Sequence, residues 1–185
     1  MRKIIFIFFL ATSYKSFVFC SELQTLALVN NNPITNYNLY LEASYREALT
    51  GKIVSKKDTY ILIETLINDE IKKIEIKSNN ISKEISNEQT EKFLDQIVKK
   101  EISKEIEKYI LAKIKLQTEW NHLVYLKFKN KLEINTAEIN EINKNKKLSI
   151  EESNALNNQL RQKKFISLSK SFFSEVKKKY YIKKF

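Results

Sequence analysis

The chain has 185 residues, of which 43% are apolar, and a formal net charge of +11. This length suits one domain with a hydrophobic core, but a single Gly and a single Pro are too few for the tight turns of most α/β and all-β folds. The same scarcity excludes Gly-rich phosphate loops, dinucleotide-binding fingerprints and nucleophile elbows. We therefore predict a mainly α-helical protein that has no cofactor and is not an enzyme.

The first 21 residues have the pattern of a secretory signal peptide. Arg2 and Lys3 precede a short apolar run, and no acidic residue occurs before Glu22. The apolar run is much shorter than the roughly 20 residues that a membrane-spanning helix needs. We expect cleavage near Cys20 or Ser21, which leaves residues 22–185 as the mature, exported chain.

The segment after the leader predicts two short strands joined by a turn. Thr25–Asn30 alternates as a strand does, and Asn31-Asn32 can adopt the positive φ of a tight turn. Pro33-Ile34 can return only as an edge strand, because Pro donates no backbone hydrogen bond.

The first helix is predicted over Asn36–Thr50, with Thr35 as its N-cap and Gly51 as its C-terminal stop. Its apolar face comprises Tyr37, Leu41, Tyr45 and Ala48. We expect Asp58 to cap a second helix, which Asn79-Asn80 ends. The apolar face of that helix comprises Leu62, Leu66, Ile67, Ile71 and Ile74.

Further helical segments follow. Ser86 begins one by a capping box, and its inward residues are Phe93, Leu94, Ile97 and Val98. Ser103 either restarts the helix or lies within it. The longest apolar face follows, with Ile106, Ile110, Ile114, Trp120, Leu123, Val124 and Phe128, and residues 134–142 form a short helix. A long terminal helix runs from Glu151 to about Lys179, and the β-prone Tyr180-Tyr181-Ile182 follows it.

Several of these segments together resemble the N-terminal core of SurA-type periplasmic chaperones. The segments are ALVNNNPIT, LIETLINDEIKKIEIKSNNIS, TEWNHLVYLKF, INTAEINEI and the terminal LRQKKFISLSKSFFSEVKKKYYIKK. The resemblance implies one chaperone core over residues 22–185. Its parts are the N-terminal helices within 35–147, a long helix at 150–179 and a final strand at 180–183. It also implies that Thr25–Asn30 pairs with Tyr180–Ile182, so that the two ends of the chain meet.

The chain departs from the family in two places. Family members carry parvulin-type prolyl isomerase domains before the terminal helix, but here the interval is only residues 143–150. Such a domain needs many turns and cannot fit there, so we expect no isomerase activity. The stretch around Lys99–Lys108 is also shorter than its counterpart, which affects the shape of the groove that would receive a client.

The resemblance implies a holdase that binds unfolded outer-membrane proteins and assists their assembly. Tyr and Phe offer apolar area at low rotamer cost, so aromatic residues are the candidates for a client-binding cradle. The candidates are Tyr40, Tyr45, Tyr125, Phe128, Phe172 and Phe173. Neither a catalytic nor a metal-binding set is predicted, since His122 is the only histidine and no ligand pattern surrounds it.

The positive charge leaves an alternative open. A basic helical protein could bind nucleic acid or a membrane surface, with residues 1–21 intact and a steep dependence on salt. Only three residues are arginines, however, and arginine is the side chain that nucleic-acid recognition favours. We therefore expect no nucleic-acid partner and at most a weak contact with anionic membrane. A structural subunit that docks on a larger partner is a third possibility, and the oligomeric state is not predicted.

Overall fold

The computed structural model describes residues 22–82, 102–133 and 149–185. Within these ranges the protein is mainly helical, with four α-helices and one small antiparallel sheet of three strands, which confirms the predicted fold class at this level. The elements are β1 (Thr25–Val29), β2 (Asn32–Thr35), α1 (Asn36–Thr50), α2 (Thr59–Ser78), α3 (Lys104–Phe128), α4 (Ile150–Lys177) and β3 (Ile182–Lys184). The predicted signal peptide, the helix that begins at Ser86 and the short helix at 134–142 lie outside the described residues.

The sheet joins the two ends of the described chain. Its strand order is β2-β1-β3, and β1 pairs with β3 in a register that places Val29 opposite Ile182. The predicted pairing of the N-terminal and C-terminal strands is therefore confirmed, but the final strand covers 182–184 rather than 180–183. Tyr180 is outside the strand, and its hydroxyl donates to Glu75 of α2 at 2.9 Å. Tyr180 therefore anchors the chain to α2 before the strand begins.

The turn between β1 and β2 is one residue earlier than predicted. Asn30, not Asn32, has the positive φ, at 52°. The side-chain oxygen of Asn30 accepts from the backbone N–H of Tyr181 at 3.0 Å, and its backbone N–H donates to the Tyr181 carbonyl at 2.7 Å. The turn is thereby tied directly to β3. Pro33 lies in the edge strand β2, as predicted.

Local capping explains where most helices begin and end. Thr35 and Asn38 form a capping box at the start of α1, and Gly51 ends α1 with a φ of 71°. Ser103 caps α3 by accepting from the N–H of Ile106, so Ser103 lies at the start of a helix rather than within one. Ser149 caps α4 with Glu152.

Asp58 occupies the N-cap position of α2, as predicted, but its side chain makes no capping hydrogen bond. The carboxylate of Asp58 accepts from the backbone N–H of Ser55 at 3.1 Å and from its hydroxyl at 2.7 Å. Asp58 therefore closes a short 3-10 turn, Lys56–Asp58, and makes no side-chain cap at Thr59.

The larger hydrophobic core surrounds Trp120 and joins α2, α3, α4 and the sheet. The indole ring stacks on Phe172 of α4 at a centroid distance of 5.4 Å, and the indole N–H donates to Ser169 at 3.1 Å. A smaller cluster of Leu41, Ile106 and Ile110 lies between α1 and α3. The apolar packing between α1 and α3 is thus much thinner than that around Trp120.

Candidate functional site

The six aromatic candidates do not form one surface. Phe128, Phe172 and Phe173 come together around Trp120, with ring centroids 5.4–5.8 Å apart within the group. Phe172 is only 3% exposed, and Phe128 and Phe173 are half-buried against the same core. In this structure Phe172 holds α4 on α3 and has no surface to offer to a ligand.

The other three candidates lie in separate places. Tyr40 is 53% exposed and stacks on Tyr37 with ring centroids 6.4 Å apart. Tyr125 is 51% exposed and lines a cleft of about 440 Å³ together with residues of α4. Tyr45 is half-buried, with its ring edge-on to Tyr109 at 6.1 Å. These six side chains therefore do not line one cradle.

Three adjacent clefts share one residue of α3, Ala112, and we name them together the Ala112 groove. The first cleft has a volume of about 570 Å³ and is lined by Tyr37, Leu41, Lys104, Glu105, Lys108, Tyr109 and Ala112. The middle cleft, of about 90 Å³, is lined by Pro33, Ile34, Asn38, Leu66, Asp69, Glu70, Lys73, Tyr109, Ala112, Lys113 and Leu116. The third, of about 400 Å³, is lined by Lys73, Ile76, Lys77, Ile81, Ser82, Ala112, Lys115, Leu116 and Glu119.

The groove follows one face of α3. Residues three or four positions apart lie on the same face of a helix, and Glu105, Tyr109, Ala112, Leu116 and Glu119 follow that spacing. Ala112 leaves space because its side chain is a single methyl group between larger neighbours. The start of α1, the edge strand β2 and α2 supply the facing walls. The result is an apolar floor with charged side chains along the rim.

A buried ionic cluster centred on Glu42 lies beside the groove. Glu42 is 1% exposed, and its carboxylate accepts from Lys113 at 2.8 Å, from the Tyr109 hydroxyl at 3.0 Å and from Arg46 at 3.2 Å. Lys113 also donates to Asp69 of α2. Since these side chains come from α1, α2 and α3, the cluster joins the three helices that form the walls of the groove.

The pKa values of Tyr109 and Lys113 do not suit proton transfer at neutral pH. Burial raises the pKa of the Tyr109 hydroxyl, and the neighbouring Glu42 carboxylate raises it further. Burial by itself would lower the pKa of Lys113, but Asp69 and Glu42 outweigh it and the pKa is raised. Tyr109 is therefore a neutral donor and Lys113 a cation at neutral pH, and neither titrates in the range that general acid–base catalysis uses.

The sequence carried a weak signal for this groove that periodicity alone did not reveal. Tyr37 was assigned to the inward face of the first helix, yet it is 46% exposed and its hydroxyl donates to Glu105 of α3. Ala112 is the only alanine in α3, between bulkier residues at the same face. A single small residue among larger ones on a helix face can indicate a depression in the helix surface.

Two further properties concern the residues that the structure describes. Among them, no group of three His, Cys, Asp or Glu side chains is placed to hold a metal ion. None of the helices within residues 22–82, 102–133 and 149–185 has the length and apolar character to cross a bilayer.

No protein-family model matches the chain, and no curated protein matches it.

Proposed function

We propose that the protein is a periplasmic chaperone that holds unfolded outer-membrane proteins, without prolyl isomerase activity, and that clients bind in the Ala112 groove. The observation that carries this proposal is the open, apolar groove along α3. The resemblance to the SurA-type core supports the choice of client and compartment. The pairing of β1 with β3 is the arrangement that this resemblance implies.

The groove has the physical properties that a holdase needs. Burying one aliphatic or aromatic side chain of a client yields about 1.5–3 kcal/mol before ordering costs. An affinity in the micromolar range corresponds to about 8 kcal/mol, so several side chains must be buried at once. The clefts at the two ends of the groove, of about 570 and 400 Å³, have room for large side chains. Such binding prevents aggregation and still allows release.

The stacked pair of Tyr37 and Tyr40 adds apolar area next to the first cleft. Both residues are about half exposed, and Tyr37 also lines the groove. Tyrosine offers a large rigid surface at a low entropic cost and accepts varied apolar partners. Tyr40 thus remains a candidate client contact, in company with Tyr37 rather than with the aromatic residues of α4.

An aggregation assay tests the proposal. An outer-membrane protein unfolded in urea is diluted into buffer with an equimolar amount of residues 22–185, and light scattering is followed with time. We expect a clear delay in aggregation, and an absence of delay would reject the chaperone function.

A matched pair of variants locates the binding site in the same assay. Ala112→Trp fills the groove and is expected to remove most of the delay. Ala155→Trp introduces the same side chain at an exposed position of α4 outside the groove and is expected to leave the delay unchanged. Cell fractionation and sequencing of the mature N-terminus test the compartment, for which we expect a periplasmic chain that begins near Glu22.

A further inference from the structure

We infer that the Ala112 groove selects extended client segments in which apolar residues are flanked by acidic residues. This inference rests on the proposed chaperone function and names the class of segment that the groove takes. It is carried by the length of the groove, the distribution of charge along its rim and the chemistry of the adjoining strand β2.

The length of the groove sets the length of the segment. The lining residues of α3 run from Lys104 to Glu119, which is about 22 Å along a helix that rises 1.5 Å per residue. An extended peptide advances about 3.3 Å per residue, so about seven residues span the groove. The apolar floor, with Leu41, Tyr109 and Leu116, faces the middle of such a segment.

The rim of the groove is basic at both ends. Lys104 and Lys108 line the first cleft, and Lys77 lines the third. None of these three lysines forms an ion pair within 4.0 Å with a carboxylate of the described residues.

The carboxylates along the rim are already engaged. Glu105 accepts from the Tyr37 hydroxyl. Glu70 pairs with Lys73 at 3.3 Å. Glu119 lies 3.9 Å from Lys115. Among the described lining residues, the first cleft has two lysines against one glutamate and the third has three lysines against one glutamate, so both ends keep a net positive charge that acidic residues of a client complement.

The edge strand β2 does not offer a competing mode of binding. Extended peptides often bind by adding a strand to an exposed sheet edge, which requires backbone donors along that edge. Pro33 occupies β2 and has no N–H to donate. A segment in the groove is therefore held by its side chains, which makes the charges of those side chains matter.

Fluorescence anisotropy with three labelled seven-residue peptides tests the inference. All three share an apolar centre with a tyrosine and a leucine, and the first and last of the seven positions carry aspartate, serine or lysine. Exposed ion pairs are weak and are screened over about 8 Å at physiological salt. We expect the aspartate peptide to bind about fivefold more tightly than the serine peptide at low salt, and this preference to vanish in 0.5 M salt.

Two double variants test whether Lys104 and Lys108 produce the preference for acidic flanking residues. Lys104→Glu with Lys108→Glu is expected to reverse the order, so that the lysine peptide binds most tightly. Lys163→Glu with Lys170→Glu makes the same charge change on the exposed face of α4, and we expect it to keep the original order. Circular dichroism spectra that match those of the wild type establish that the variants are folded.

The outcomes separate this inference from the proposed function. Equal binding of the three peptides, or an unchanged order in the Lys104→Glu and Lys108→Glu variant, overturns the inference. If the aggregation assay still shows a delay in that case, the chaperone function stands and the groove merely lacks charge selectivity. Selective peptide binding without any delay of aggregation keeps the groove as a site for acidic-flanked segments and rejects the chaperone function.

Discussion

The two interfaces of α3 are built from different interactions. Near its C-terminal end, α3 packs through Trp120 against α4, α2 and the sheet, and the contacts are almost all apolar. In its N-terminal half, α3 meets α1 through only a small apolar cluster and through Glu42, Lys113 and Tyr109. The protein thus combines an apolar interface with an ionic one at successive positions along one helix.

The two interfaces are held in place by different physical effects. Apolar burial is non-directional and scales with area, so the side around Trp120 is stabilised by many small contributions. A buried ion pair adds little net stability, but removing one partner leaves an uncompensated charge. The ionic side therefore disfavours wrong arrangements of α1, and in this way it maintains the walls of the Ala112 groove.

The largest effect is expected from Trp120→Ala on the apolar side. Loss of a buried Trp lowers the free energy of unfolding by about 3–5 kcal/mol, through lost burial and the cavity that remains. Urea denaturation followed by circular dichroism measures it. Tyr125→Ala, at an exposed position of the same helix, is the control and should change the free energy by less than about 0.5 kcal/mol. Equal losses for the two variants would contradict the assignment of Trp120 to the core.

A smaller effect is expected from Glu42→Gln on the ionic side. The amide keeps the shape of the side chain but removes the charge that Lys113 and Arg46 share, and we expect a loss of about 1–3 kcal/mol. Glu107→Gln changes an exposed carboxylate of α3 and serves as the control. Adding Lys113→Met to Glu42→Gln should cost less than the sum of the two single changes, because the two groups interact. Strict additivity would argue against the cluster.

The ion pair between Glu64 of α2 and Lys184 of β3 should make the free energy of unfolding depend on pH in the acidic range. A hydrogen bond from Lys184 lowers the pKa of Glu64 below its ordinary value of 4.5. Because the folded protein holds this carboxylate in its charged form, the stabilisation is complete above about pH 4.5 and is lost as the pH falls through the lower, folded pKa. The pair is partly exposed, so we expect a loss of about 0.2–1 kcal/mol.

Comparison of variants isolates this acid response. Stability is measured from pH 7 to pH 3 for the wild type, for Glu64→Gln and for Glu175→Gln, which alters an exposed carboxylate of α4. Glu64→Gln should flatten the dependence below pH 4.5, while Glu175→Gln should follow the wild type. Identical curves for all three proteins would show that Glu64 does not secure β3.

The smallest effect, and the only gain, is expected from Lys72→Met. Burial lowers the pKa of Lys72, whose ammonium lies 3.8 Å from Asp69. Removing this half-buried charge should leave the free energy of unfolding unchanged or raise it by up to about 0.5 kcal/mol. Lys73→Met, at a more exposed position, is the control. A clear loss specific to Lys72→Met would show that this cation is an essential member of the cluster.

The pH dependence of the free energy of unfolding provides a second test of the lowered pKa of Lys72. A base whose pKa is lowered on folding binds fewer protons in the folded than in the unfolded state. The stability of the wild type relative to Lys72→Met should therefore rise as the pH approaches 10.5 from below. A difference between the two proteins that stays constant with pH would contradict the lowered pKa.

Local signals predicted much of the secondary structure. The bounds of α1 and its caps, Thr35 and Gly51, agree with the structure because a cap acts within one turn of the helix. Asp58 lies at the predicted N-cap position, but its carboxylate bonds to Ser55, an equally local partner. The meeting of the two chain ends was expected from the family resemblance, but the final strand begins later than predicted because Tyr180 contacts α2 instead.

The candidate site was much less predictable. Phe172 and Tyr125 are both aromatic residues of long amphipathic helices, yet one is buried and the other is half exposed. Glu42 shares the buried side of α1 with Leu41, and only its partner Arg46 is close in sequence, whereas Lys113, at the shorter distance of 2.8 Å, lies 71 residues away.

The sequence by itself determined the mainly helical character of the protein, the two N-terminal strands and most of the helix ends. Those features depend on periodicity, capping and turn residues, which act over a few positions of the chain. Only the tertiary structure decided which aromatic side chains are buried, how Glu42 is neutralised and where the groove at Ala112 opens. Burial and ion pairing depend on which distant elements pack together, and no local pattern records that choice.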